Sequence, residues 1–145
     1  MKKENKTFIS LILVVILMMA LSGCSGLPKI AKLNISIDPN PVPCSSEDGK
    51  WHYTMSISES NGVGVSITSL TFNSYDQEDQ LIYTQVIDAA EFLERFEANY
   101  IPAFSMLQNR FVSSSSRKYA IATVEGIDDN DNLIEATVRI DHLPQ

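Results

Sequence analysis

Trp51, Tyr53, Met55 and Ile57 alternate with His52, Thr54, Ser56 and Ser58. That period of two is what a strand with one buried face requires. On a helix of about 3.6 residues per turn, the same apolar side chains would point in all directions. The alternation places Trp51 inward and His52 outward. Leu33, Ile35 and Ile37 alternate in the same way with Asn34, Ser36 and Asp38, and Ile134, Ala136, Val138 and Ile140 with Glu135, Thr137 and Arg139. Val63, Val65 and Ile67 keep one phase while Leu70 and Phe72 take the other, so a bulge is expected near Thr68-Ser69. Residues 81–86, 105–112 and 119–126 read as further strands.

Turn chemistry separates these runs. The proline-rich stretch 38–43 ends the first strand, because proline lacks a ladder donor. Asn61-Gly62, residues 75–80, the serines 113–116 and the Asp/Asn run 128–132 mark other turns. One stretch departs from the period. Asp88-Ala-Ala-Glu91 resembles a capping box, and Phe92 and Phe96 lie four apart with Leu93 beside them. This predicts one short helix over 89–96 whose aromatic side closes an end of the core. The expected fold is therefore all-β, a β-sandwich of about seven strands with one short helix.

The first residues follow a different rule. After Met1-Lys2-Lys3-Glu4-Asn5-Lys6 the chain is apolar from Phe8 to Leu21, apart from Ser10. As a helix, about 14 residues span roughly 21 Å, against a bilayer core of about 30 Å. A basic start, a short apolar core and small residues at its end describe a secretory signal peptide; the alternative is an uncleaved signal anchor. Leu21-Ser22-Gly23-Cys24 resembles the lipobox of bacterial lipoproteins. The resemblance implies removal of residues 1–23, a diacylglycerol on the Cys24 thiol and, often, an acyl chain on the new amino group. It divides the chain into a signal (1–23), a lipidated tether (24–30) and a folded domain (31–142). Ser25, where enteric lipoproteins kept at the inner membrane carry aspartate, implies the outer membrane in an organism that has one.

Three lysines and one glutamate precede Cys24, so the mature chain keeps 8 basic and 17 acidic residues, a net charge of about −9. That balance argues against nucleic acid or an anionic lipid surface as an electrostatic partner. With Cys24 lipidated, Cys44 has no partner within the chain, and burial as a small hydrophobe is the expected outcome; an intermolecular disulfide is the alternative.

The sequence carries no arrangement that announces catalysis or a cofactor. His52 and His142 stand in no motif with Ser, Cys or a carboxylate, and no metalloprotease, nucleophile-elbow, CxxC or phosphate-loop pattern occurs. Asp128, Asn130 and Asn132 imitate positions 1, 3 and 5 of a calcium loop. Leu133 then replaces the required glycine and Arg139 the bidentate glutamate, so a plain turn is the expected reading. Tyr75, Tyr83 and Tyr100 lie at strand ends or loops, where packing at the edge of the core is the default and stacking on a sugar the alternative.

The stretch Tyr119-Ala-Ile-Ala-Thr-Val-Glu-Gly-Ile-Asp-Asp-Asn-Asp-Asn, followed by an alternating strand, resembles the last hairpin of immunoglobulin-like and fibronectin type III domains. Trp51 is similar to the core tryptophan of the latter. Asn61-Gly62 also suits a tight hairpin, which would depart from that family's strand order. The resemblance implies a non-catalytic binding or assembly module of the cell envelope, anchored through lipid on Cys24 and joined to an envelope protein. The competing expectations are a surface module for glycan or calcium and, third, a hydrolase using His52 beside an acid.

Overall fold

The computed structural model describes residues 28–114 and 117–144, so the expected signal segment 1–23 and Cys24 lie outside the described residues. Strands form where apolar and polar residues alternate: β1 (Leu33–Asp38), β2 (Trp51–Glu59), β3 (Val65–Tyr75), β4 (Leu81–Asp88), β5 (Tyr100–Ile101), β6 (Met106–Ser113), β7 (Tyr119–Asp128) and β8 (Leu133–Asp141). Every odd residue of β2 is buried, Trp51 among them, and the even ones between them are half-buried. The expected phase change is a bulge at Thr68, since the register of β3 on β7 slips between Ile67 and Ser69. β5 was not legible as a strand. It is two residues long, pairs with Val65 and Ser66, and is too short to show a period.

The helix α1 spans Ala89–Phe96. The Asp88 carboxylate accepts the backbone N–H groups of Ala90 and Glu91, both at 2.9 Å, and so caps the helix. Glu91 does not complete the capping box; its carboxylate holds Arg95 at 2.7 Å instead. Phe92 and Phe96 stack with centroids 4.2 Å apart, and Phe96 meets Phe111 of β6 at 5.9 Å. The aromatic side of the helix thus fills the space between the sheets at one lateral edge.

One sheet has the order β1-β2-β6, the other β4-β3-β7-β8, with β5 beside β3. Asn61-Gly62 therefore closes no hairpin, for the chain crosses there from one sheet to the other. It crosses back before β6 and again before β7. The result is an all-β sandwich with Greek-key crossings. Met55 and Ile57 from the first sheet meet Leu70, Ile87, Val124 and Ile140 from the second in a core inaccessible to solvent.

Three strands cannot cover four, and the two lateral edges are finished differently. On the β8 side, residues 38–43 act as a substitute strand. The Asn40 amide donates to the Arg139 carbonyl and accepts from the Asp141 N–H, each at 2.9 Å. Val42 N–H donates to the Asp141 carbonyl at 2.7 Å, and Trp51 Nε1 to the Leu143 carbonyl at 2.9 Å. A proline-bearing segment cannot run a full ladder, so a side-chain amide supplies part of it. On the other side β6 and β4 are both edge strands, with α1 packed between them.

Two glycines test this packing. A Cβ on Gly126 would lie 2.7 Å from the Ser66 carbonyl oxygen, a backbone atom that the β3 ladder fixes. A Cβ on Gly64 would meet the Tyr100 hydroxyl and the Asp129 carboxylate, the ends of side chains that can move. Gly126→Ala is expected to cost roughly 1–3 kcal/mol of stability by overpacking. Gly64→Ala should cost about 1 kcal/mol, the worth of the displaced Tyr100–Asp129 hydrogen bond. Denaturant unfolding of the two variants checks the order, and a Gly64→Ala loss larger than that of Gly126→Ala would contradict it.

Candidate binding surface

The turn 128–132 uses its oxygens internally. Asp128 is 3% exposed, and its carboxylate accepts N–H groups from Ala31 at 3.0 Å, Asn130 at 2.9 Å and Asn132 at 2.9 Å. The Asn132 amide adds contacts at 3.1 Å to both oxygens. The Asn130 amide donates to the Lys29 carbonyl at 2.8 Å. Among the described residues no group of three His, Cys, Asp or Glu side chains is placed to hold a metal ion. Asp128 is instead a fastener. It ties the segment just after the expected tether to the β7–β8 turn.

Glu59 does the same from the other sheet. It is 3% exposed and accepts N–H groups from Lys32 at 3.1 Å, Asn61 at 2.7 Å, Gly62 at 2.8 Å and Phe104 at 3.1 Å. Burial alone would raise both carboxyls. The hydrogen bonds outweigh it and hold Glu59 and Asp128 down at about 2.

His52 turns outward, and its Nε2 lies 2.8 Å from Asp48 on the surface of the first sheet. The Ser45 hydroxyl accepts the Glu47 N–H at 3.2 Å. His142 is buried, with its ring edge-on to Trp51 at 5.9 Å. Burial pushes it down to about 4, with Arg117 adding to the effect. Cys44 is half-buried against the core. Tyr75 stacks on Tyr119 at 4.8 Å, and the Tyr100 hydroxyl donates to Asp129 at 3.0 Å. Tyr83 packs at no such place and is 56% exposed.

The feature that sequence reading missed lies on the β6/β4 side. A cleft of about 400 Å³ opens there, walled by Tyr53, Phe111 and Phe72 and by three of the chain's four arginines, Arg95, Arg110 and Arg117. Arg95 comes from α1, Arg110 from β6 and Arg117 from just before β7, so their convergence needs the tertiary fold. Arg117 donates to the Ser74 hydroxyl and, at 2.7 Å, to the Ser113 hydroxyl. Beside the cleft, the edge strand β4 exposes Leu81, Ile82, Tyr83 and Val86. Tyr83 belongs to its inner phase, with Gln85 and Ile87, yet stands exposed, while Leu81 follows a register slip and lies opposite the outward Tyr75. A strand edge with so few charges is what proteins ordinarily protect.

No known family and no curated protein matches the chain. Among solved structures it is similar to a Northeast Structural Genomics Consortium target solved by X-ray (TM-score 0.47, 12% identity, 77% of this chain and 86% of that one). It is also similar to the putative ApaA protein from Bordetella pertussis (TM-score 0.47, 10% identity, 82% and 100%). A third likeness is to a CARDB domain from Pyrococcus furiosus in complex with di-metal ions (TM-score 0.43, 12% identity, 82% and 95%). The chain is a small all-β domain, and likenesses this distant assign it no activity.

The buried titratable groups set two separate acid steps. As pH falls from 6.5 to about 4, the unfolded chain takes up a proton that folded His142 refuses, so stability drops through that window. As pH falls from 4.5 to about 2, the unfolded carboxyl of Glu59 protonates before the folded one, and stability drops again. Asp128 acts in the same direction from 3.8 downward. His142→Phe is expected to flatten the upper step alone. Glu59→Gln should lower stability at neutral pH by roughly 2 kcal/mol and flatten the lower step. Denaturant titrations at stepped pH check both, and an upper step that persists in His142→Phe would contradict the assignment.

Proposed function

We propose that the protein is a lipid-anchored extracytoplasmic lipoprotein whose immunoglobulin-like sandwich binds another envelope component and performs no catalysis. The observation that carries the anchor is Leu21-Ser22-Gly23-Cys24 at the end of a short apolar run. Among the described residues no helix is long and apolar enough to cross a membrane. The strand order supports the immunoglobulin-like reading, because β1-β2-β6 and β3-β7-β8 follow the Greek-key order of those domains, with β4 added at an edge.

The way the domain is held suits a tether. Residues 24–30 reach at most about 25 Å when extended. The Ala31 and Lys32 N–H groups are fastened by Asp128 and Glu59, so the folded domain starts directly where the tether ends. β6 begins opposite Ser58 and ends opposite Trp51, whereas β1 starts opposite Glu59. The arginine cleft, at the Ser113 end, therefore lies toward the far end of the sandwich from the tether.

The exposed β4 edge and the cleft support binding as the role. The calcium reading gains nothing from a turn whose first carboxylate is filled by the protein's own donors. The hydrolase reading gains nothing from His52 and Asp48, whose pair sits on an outer sheet face and lines no part of the cleft.

In cells, the parent protein is expected to incorporate labelled palmitate, to lose residues 1–23 and to partition with membranes. Cys24→Ser should lose the label and stay unprocessed. Mass spectrometry of the mature N-terminus reads this directly, and a Cys24→Ser protein still cleaved and labelled like the parent would overturn the anchor.

A further inference from the structure

The hydrogen-bond ladder of the first sheet fixes which backbone groups of β6 lack a strand. Glu59 N–H donates toward β6, to the Ser105 carbonyl at 2.9 Å, while Ser60 N–H donates toward β1, to the Lys32 carbonyl at 3.0 Å. Odd residues of β2 therefore bond toward β6, and the odd residues of β6 answer them. The even residues of β6, Arg110 and Val112 among them, turn N–H and C=O to the open edge. The Arg110 N–H is met at 2.8 Å by the side-chain oxygen of Asn109, a local stand-in for a strand. α1 covers the edge near Phe111, and the cleft lies beside it.

Charge points to the occupant. The mature chain carries about −9, yet three of its 8 basic residues border this one opening. Arg95 is balanced by Glu91, whereas Arg110 takes part in no ion pair among the described residues. A second copy of the chain is poorly suited. Its exposed β4 edge offers a single carboxylate, Asp88, and that one caps α1.

We propose that this cleft takes a short acidic peptide segment of a partner protein in extended form, its backbone beside residues 110–112 and its carboxylates on Arg95, Arg110 and Arg117. The proposal rests on reading the domain as a binding module. Main-chain pairing along the edge supplies affinity, and the arginines select acidic over neutral segments through charge-assisted hydrogen bonds.

The test uses the purified full chain in detergent and the peptide acetyl-Thr-Val-Glu-Val-Glu-Val-Thr-amide. Titration followed by calorimetry and by amide chemical shifts of β6 should give saturable binding, with the largest shifts at Arg110 and Val112. Replacing both glutamates by glutamine, or N-methylating the valine amides, should each weaken binding about tenfold or more. Arg110→Gln, on an exposed side chain in no ion pair among the described residues, should weaken it about threefold or more, and adding Arg95→Gln should weaken it further. Absence of binding up to about 1 mM, roughly −4.1 kcal/mol, overturns the proposal. So does equal affinity for the glutamine peptide, or self-association of the chain through β6. Lipidation of Cys24 is read separately. A labelled protein that ignores the peptide loses this site but keeps its anchor, and an unlabelled one that binds it keeps the site.

Discussion

Four strands facing three is the constraint from which the rest of this structure follows. A sandwich with unequal sheets has two lateral edges to finish, and each edge carries backbone groups that need partners. Here the C-terminal end of the β8 edge, from Arg139 to Leu143, is bonded by Asn40, Val42 and Trp51, which supply amide and indole hydrogen bonds where no strand runs. The other edge receives α1, which fills the core with Phe92 and Phe96 but is only eight residues long. Beyond its reach β6 and β4 face each other across an arginine-bordered opening. The same fold thus finishes one edge at its end and leaves the other open.

Two buried carboxylates fasten the backbone at Ala31 and Lys32. Glu59 and Asp128 come from different sheets, and each spends its carboxylate on backbone donors, including those of Lys32 and Ala31. Buried carboxylates are costly unless their oxygens are fully used, and here they are. The arrangement also explains why a run of Asp and Asn that imitates a cation loop works as a turn. Its first acid is drawn inward to hold the incoming chain, and Asn130 reaches back to the Lys29 carbonyl.

Much of the architecture could be read from the residues because sandwich strands leave a period-two trace. The inward Trp51, the bulge at Thr68 and the helix capped by Asp88 all follow from local pattern. β5 escaped because two residues have no period, and Asn61-Gly62 left a hairpin and a crossover open because turn chemistry does not say which sheet comes next. Glu91 illustrates a finer limit. Its spacing fits a capping box, but Arg95, one turn later, takes its carboxylate. The cleft was illegible for a deeper reason. Arg95, Arg110 and Arg117 belong to three elements and meet only after the chain has crossed between sheets.

The central claim is that the β6 edge is open while the end of the β8 edge is closed, and amide hydrogen exchange tests it most directly. The account predicts slow exchange at Phe111, whose N–H faces β2, and at Asp141, whose N–H is bound by Asn40. It predicts exchange at Val112 faster by orders of magnitude, since that N–H faces the opening. Val112 protected as strongly as Phe111 would mean that the edge is already covered, and the account of an unfilled strand position would be wrong.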